Sequence, residues 1–145
     1  MLPSIYLLSF SSLFLSTYAK ATSHESRRLT ARGDCGGSTQ IMDKDDILAL
    51  AQDLQNNNPN DMTDFPARAR QHWSNGTAQV CIENNYYFEH THVSRWEVGW
   101  AVEYIYDNCC NTAANSQCAG GYNTAHGDSG LSLAVQLQHK DEWCQ

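Results

Sequence analysis

"TAHGDSG", Thr124 to Gly130, can be read in two ways, and the choice between them decides the fold. It joins the Thr-Ala-His that accompanies a serine-protease base to the Gly-Asp-Ser-Gly of the nucleophile. A chymotrypsin-like fold keeps those groups far apart in sequence, on two barrels, so that an oxyanion hole forms beside them. Here His126 and Ser129 share one short stretch, and Leu131 follows where the protease motif continues with Gly and Pro. Gly127, Asp128, Ser129 and Gly130 are all turn formers. Read as a turn, they join "GYNTA" (residues 121–125) to "LSLAVQLQ" (residues 131–138) in a hairpin. Leu131, Leu133, Val135 and Leu137 alternate with Ser132, Ala134, Gln136 and Gln138, the pattern of a half-buried strand. The turn reading prevails.

Upstream, two stretches carry the helical period. In "DKDDILALAQDLQ", residues 43–55, Ile47, Leu50, Ala51 and Leu54 form one stripe. Asp43 is placed to cap it, Asp45 and Asp46 complement the dipole, and "NNNPND" ends it. "SRWEVGWAVEYIYDNC", residues 94–109, opens with a Ser94/Glu97 capping box. Val98, Ala101, Val102, Ile105 and Cys109 make its main stripe. Trp96, Trp100 and Tyr104 make a second, read as core packing. Between the helices, residues 56–72 read as a long loop. "NGTAQVCIE-NN-YYFEHTHV" reads as a hairpin turning at Asn84-Asn85.

The ends and the charge point to export. Residues 1–19 hold an apolar run followed by small residues at Thr17 and Ala19, a signal peptide too short to span a membrane. Residues 20–32 read as a pro-segment or disordered lead-in, with Arg28 and Arg32 as processing candidates. Residues 33–145 form one domain. The full chain carries nine Lys+Arg against sixteen Asp+Glu, a net charge of −7. Residues 1–28 hold Lys20, Arg27, Arg28 and Glu25, so six basic residues face fifteen acidic ones after processing, a net of −9. Nucleic acid and anionic lipid both demand a cationic surface and are excluded as partners. A soluble extracellular monomer is expected.

Cys35, Cys81, Cys109, Cys110, Cys118 and Cys144 are even in number and lie within the domain, which reads as three disulfides. Of the 15 possible pairings, direct Cys109–Cys110 bonding is sterically poor, which removes three. Asn75-Gly76-Thr77 is a glycosylation sequon at Asn75. His90 and His92 share a strand face and, with His72 or His126, are the candidate metal ligands, although surface histidines are the commoner outcome. A hydrolase built on His90, His92 and Asp128 is the weakest reading. Glu97 and Glu103 belong to no recognisable acid/base pair. The expectation is no catalytic residue, no cofactor and no metal, hence no enzyme. A rival function is binding of a glycan or other ligand through Trp73, Tyr86 and Tyr87.

The order of these pieces resembles a known family. "CGGST" at Cys35, "AQVC" ending at Cys81, "AVEYIYDNCC", "CAGGYNTAHGDSGLSLAVQL" and the final Cys144 are similar to the fungal killer toxins of the smut-virus type and to related secreted necrosis-inducing effectors. The resemblance covers nearly all of residues 33–145. It implies an α+β fold, an α/β sandwich with two antiparallel helices on one face of an antiparallel sheet. It also implies bridges from Cys35 to Cys109 or Cys110, from Cys81 to Cys144, and from the remaining member of the pair to Cys118. The function it implies is that of a toxin or effector acting on a cell-surface target of a plant host or a competing fungus. Calcium-channel interference has been proposed for the killer toxins, which are basic and carry a lysine shortly before the cysteine that corresponds to Cys81. Ala78 and Gln79 stand there in this acidic chain, a charge better suited to an effector in the plant apoplast.

Overall fold

In the computed structural model, residues 34–111 and 116–144 are described. The expected signal peptide, the lead-in, Arg28 and Arg32 lie outside them. The chain forms β1 (Met42–Asp43), α1 (Lys44–Asn56), β2 (Met62–Phe65), β3 (Arg70–Asn75), β4 (Ala78–Glu83), β5 (Thr91–Ser94) and α2 (Arg95–Ile105). A π-helical turn (Tyr106–Cys110) follows, then β6 (Gln117–Cys118), β7 (Gly121–His126) and β8 (Ser132–His139). The described residues form an α+β fold with antiparallel sheets, two α-helices and three disulfides.

The apolar stripes go where their periods direct them. Ile47, Leu50, Ala51 and Leu54 of α1 are buried, as are Val98, Ala101, Val102 and Ile105 of α2. The two helices pack on each other, and their stripes share one core with Val80, Ile82, Leu133, Val135 and Leu137. Gly99 sits at the closest approach: a Cβ there would press on the Ala51 carbonyl and the Gln55 side chain of α1. Trp100 packs against the core, but Trp96 is exposed, so the second aromatic stripe is only partly internal.

Both caps differ from expectation. Asp43 occupies the N-cap position of α1 without a side-chain cap bond. Its backbone N–H donates to Thr77 Oγ1, while Asp46 Oδ2 accepts from both the N–H and the hydroxyl of Thr77. Ser94 does cap α2, accepting from Glu97 N at 3.2 Å, but the Glu97 carboxylate turns to His126. Half the capping box forms; tertiary contact takes the other half.

The main sheet runs β3-β4-β8-β7. The β7–β8 hairpin matches the reading of the His-Gly-Asp-Ser-Gly turn, with Ala125 opposite Leu133. The other expected hairpin is wrong. β4 pairs with β3, of which residues 70–72 fall in the expected loop, through a turn at Gly76-Thr77. Residues 91–94 pair instead with β2, also in the expected loop. β3 is polar and exposed apart from Trp73, and β2 has four residues of which only Phe65 is buried. β3 is an edge strand held by its backbone ladder to β4, so the face-to-face alternation that sequence reading relies on is absent. Asn84 is no turn residue either: it is fully buried.

The bridges are Cys35–Cys109, Cys81–Cys144 and Cys110–Cys118. This is the set implied by the resemblance, with Cys109 taking Cys35. Asn111 N donates to Tyr106 O, an i to i−5 bond that widens the end of α2. Cys109 and Cys110 lie in that widened turn and serve different bridges.

Beyond β8 the chain folds back across β4, where Gln79 Nε2 donates to the Glu142 carbonyl and Cys144 closes on Cys81. The Glu142 carboxylate also anchors the N-terminal segment through Thr39, Ser38 and Gln40. Partial burial pushes Glu142 up, but the Thr39 and Ser38 hydroxyls and the Gln40 and Thr39 N–H groups outweigh it and hold the carboxyl below its usual range. A depressed folded-state value means this contribution is intact above the ordinary glutamate range and is lost as pH falls through the lowered value. Glu142→Gln is expected to flatten the loss of stability on acidification, measured by urea unfolding at successive pH values below neutrality.

Candidate functional site

β2 and β5 make a two-stranded ribbon with opposite characters on its faces. Phe65, Thr91 and Val93 are buried beneath it. Asp64 lies directly across the ladder from His92, and His90, exposed just before β5, precedes His92 by two residues. One oxygen of Asp64 and one ring nitrogen each of His90 and His92 lie within 4.8 Å of one another. His90 Nε2 contacts Asp64 Oδ1, His92 Nε2 is 3.7 Å from that oxygen, and the two imidazoles meet edge to face at 4.8 Å between centroids.

The turn that opened the sequence reading completes this arrangement. Asp128 Oδ1 accepts from His92 N at 3.0 Å and from the Thr91 hydroxyl at 3.1 Å, and Oδ2 lies 3.0 Å from His92 Nδ1. In return, Asp128 N donates to the His92 carbonyl at 2.9 Å. Gly127 permits the docking, because a Cβ there would collide with the Thr91 side chain. The His92 backbone N–H, above all, lowers the Asp128 carboxyl pKa against partial desolvation, aided by Thr91 and the His92 ring. An ionised carboxylate only accepts, so His92 Nδ1 is the donor in its contact with Asp128, and the other ring nitrogen, Nε2, faces Asp64 Oδ1.

Asn84 fixes the frame of the site from below. Its Nδ2 lies 2.9–3.0 Å from the carbonyls of Phe65, Pro66 and Glu89, sharing its two N–H donors among them, and its Oδ1 accepts from Tyr86 N. Phe65 adjoins Asp64 and Glu89 adjoins His90, so one buried amide positions both halves of the cluster.

The other candidates disperse. His72 lies on β3, opposite Cys81. His126 pairs with Glu97, its N and Nδ1 both 2.9 Å from Oε1. Glu103 accepts from Gln55. Asn75 is exposed at the end of β3, while Thr77 of its sequon is tied to Asp46. Tyr87 and Phe88 project from the segment before β5, 71 % and 96 % exposed, and Arg68 lies over the Tyr87 ring at 4.9 Å. That segment is not the strand expected for Tyr86 and Tyr87, and Trp73 leans on the core. A shallow depression of about 190 Å³ lies between Arg70, Glu83, Tyr122, Gln136 and the Cys81–Cys144 bridge.

The sequence pairs His90 with His92 and allows Asp128 beside them, but does not point to Asp64. No local signal marks that residue. It lies 26 positions from His90, in a four-residue strand too short to display a period. No helix of the described residues is long and apolar enough to cross a membrane. No protein-family model, curated protein or solved structure matches the chain.

Proposed function

We propose that this chain is a secreted, non-enzymatic effector or toxin acting at the surface of plant cells or competing fungi. Its architecture on this reading is a two-layer α/β sandwich with both helices on one face of the main sheet. The bridge pattern is the observation that carries the proposal: Cys35–Cys109, Cys81–Cys144 and Cys110–Cys118 are the pairs implied by the killer-toxin resemblance. Shared core residues from α1, α2, β4 and β8 support the layering, and the tail over β4 occupies the opposite face. Three disulfides suit an oxidising, extracellular location. The acidic surface turns the protein away from nucleic acid.

The test is infiltration of the oxidised protein into leaves, with a reduced sample alongside, and application to competing fungi. Necrosis or growth arrest that disappears on reduction is the expected result. Absence of both effects, with unchanged virulence after deletion of the gene, removes the reading. The exposed Tyr87 and Phe88 favour a second reading, a glycan- or ligand-binding module. Retention on a cell-wall polysaccharide that Tyr87→Ala abolishes, without any toxic effect, selects it.

A further inference from the structure

We propose that Asp64, His90 and His92 bind one divalent transition-metal ion, with Zn²⁺ the expected occupant and Asp128 the residue that orients His92. The inference stands independently of the effector reading. Two imidazoles and a carboxylate converge from two strands, with the three donor atoms within 4.8 Å of one another. A tetrahedral ion with bonds near 2.0–2.1 Å holds its ligand atoms about 3.3 Å apart. His90 and Asp64 are exposed and His92 is half-buried, so small side-chain rotations close that gap without moving the ladder.

The partners of His92 separate this cluster from a chance surface His–Asp pair. A metal-binding imidazole presents a lone pair on one nitrogen and donates from the other to a carboxylate or carbonyl, which fixes ring and tautomer together. Asp128 supplies that acceptor, and Asp128 is itself held by the Thr91 hydroxyl and the His92 N–H. Nε2 is therefore the ring nitrogen that faces Asp64 before any ion arrives. Two nitrogens and one oxygen suit Zn²⁺ or Cu²⁺, with Cu²⁺ the tighter on such a donor set, and not Ca²⁺ or Mg²⁺, which require shells of oxygen. Three protein ligands leave a fourth position for water or for a donor from a partner.

Titration calorimetry of the oxidised protein, after dialysis against chelator, tests the site with Zn²⁺, Cu²⁺, Ca²⁺ and Mg²⁺. One equivalent of Zn²⁺ is expected to bind with micromolar or better affinity, Cu²⁺ more tightly, and Ca²⁺ and Mg²⁺ not at millimolar concentration. His90→Gln and His92→Gln should each abolish measurable Zn²⁺ binding, while His72→Gln should leave it unchanged. Asp128→Asn should weaken it about 10- to 100-fold. In the ¹⁵N spectrum of His92, Asp128→Asn should also release the Nδ1-protonated tautomer while near-ultraviolet dichroism stays native. Zn²⁺ binding weaker than millimolar, or retained in His90→Gln, or lost equally in His72→Gln, overturns the site. An unchanged His92 tautomer in Asp128→Asn overturns the positioning role.

Discussion

Reduction of all three disulfides is expected to unfold the protein at 25 °C. The bridges close separations of 74, 63 and 8 residues. In the chain-entropy model, the two long ones each contribute about 4 kcal/mol and the short one about 2.5 kcal/mol, by restricting the unfolded ensemble. The loops overlap, so these figures do not simply add. Even one long bridge is nonetheless comparable to the roughly 5–15 kcal/mol by which small domains are stable. Their placement concentrates the effect. Cys35–Cys109 pins the N-terminal segment beside β7, where Gly36 N donates to the Gly120 carbonyl. Cys81–Cys144 holds the tail over β4, where Gln79 and Cys81 are buried. Far-ultraviolet dichroism with and without reductant, followed by urea titration, provides the measurement. A reduced protein that retains a cooperative transition at the oxidised midpoint would refute the expectation. Among paired Cys→Ser variants, loss of Cys110–Cys118 should be the mildest.

Asn84→Asp is expected to be the most damaging single substitution near the candidate site, costing about 4 kcal/mol or more, with Asn84→Ala at roughly 2–4 kcal/mol. The amide is fully buried and faces three carbonyl oxygens. Alanine removes the donors and leaves those carbonyls, together with Tyr86 N, without this partner. Aspartate goes further, setting a carboxylate against the same oxygens in a fully buried site, where an unpaired charge costs more than a missing bond. Because the bonded carbonyls adjoin Asp64 and His90, either variant should also loosen the Asp64–His90–His92 geometry. Paired urea midpoints and the ¹H–¹⁵N spectrum of the two imidazoles check both claims. Native midpoints in Asn84→Asp would show that the amide is not the keystone of this corner.

Residues that act through their immediate neighbours were legible in sequence. The stripes of α1 and α2 bury the side chains that their spacing selects, because a helical period records which face meets the core. Ser94 and the β7–β8 hairpin were equally readable, since a cap and a short turn are settled within a few residues. Glu97 shows the limit of such reasoning: a capping box permits a bond that His126 then takes. β2 and β3 lay beyond it altogether, because their strands are defined by ladder bonds to distant partners and not by their own alternation.

Sequence by itself determined the two helices, the His-Gly-Asp-Ser-Gly turn, the acidic surface and the presence of three disulfides, all consequences of side-chain type and short-range spacing. Tertiary structure alone decided that Cys109 and not Cys110 meets Cys35, that Asn84 is interior, and that Asp64 joins His90 and His92. Each of these outcomes depends on segments separated by many residues packing onto one shared core, and no local pattern encodes which segments will meet.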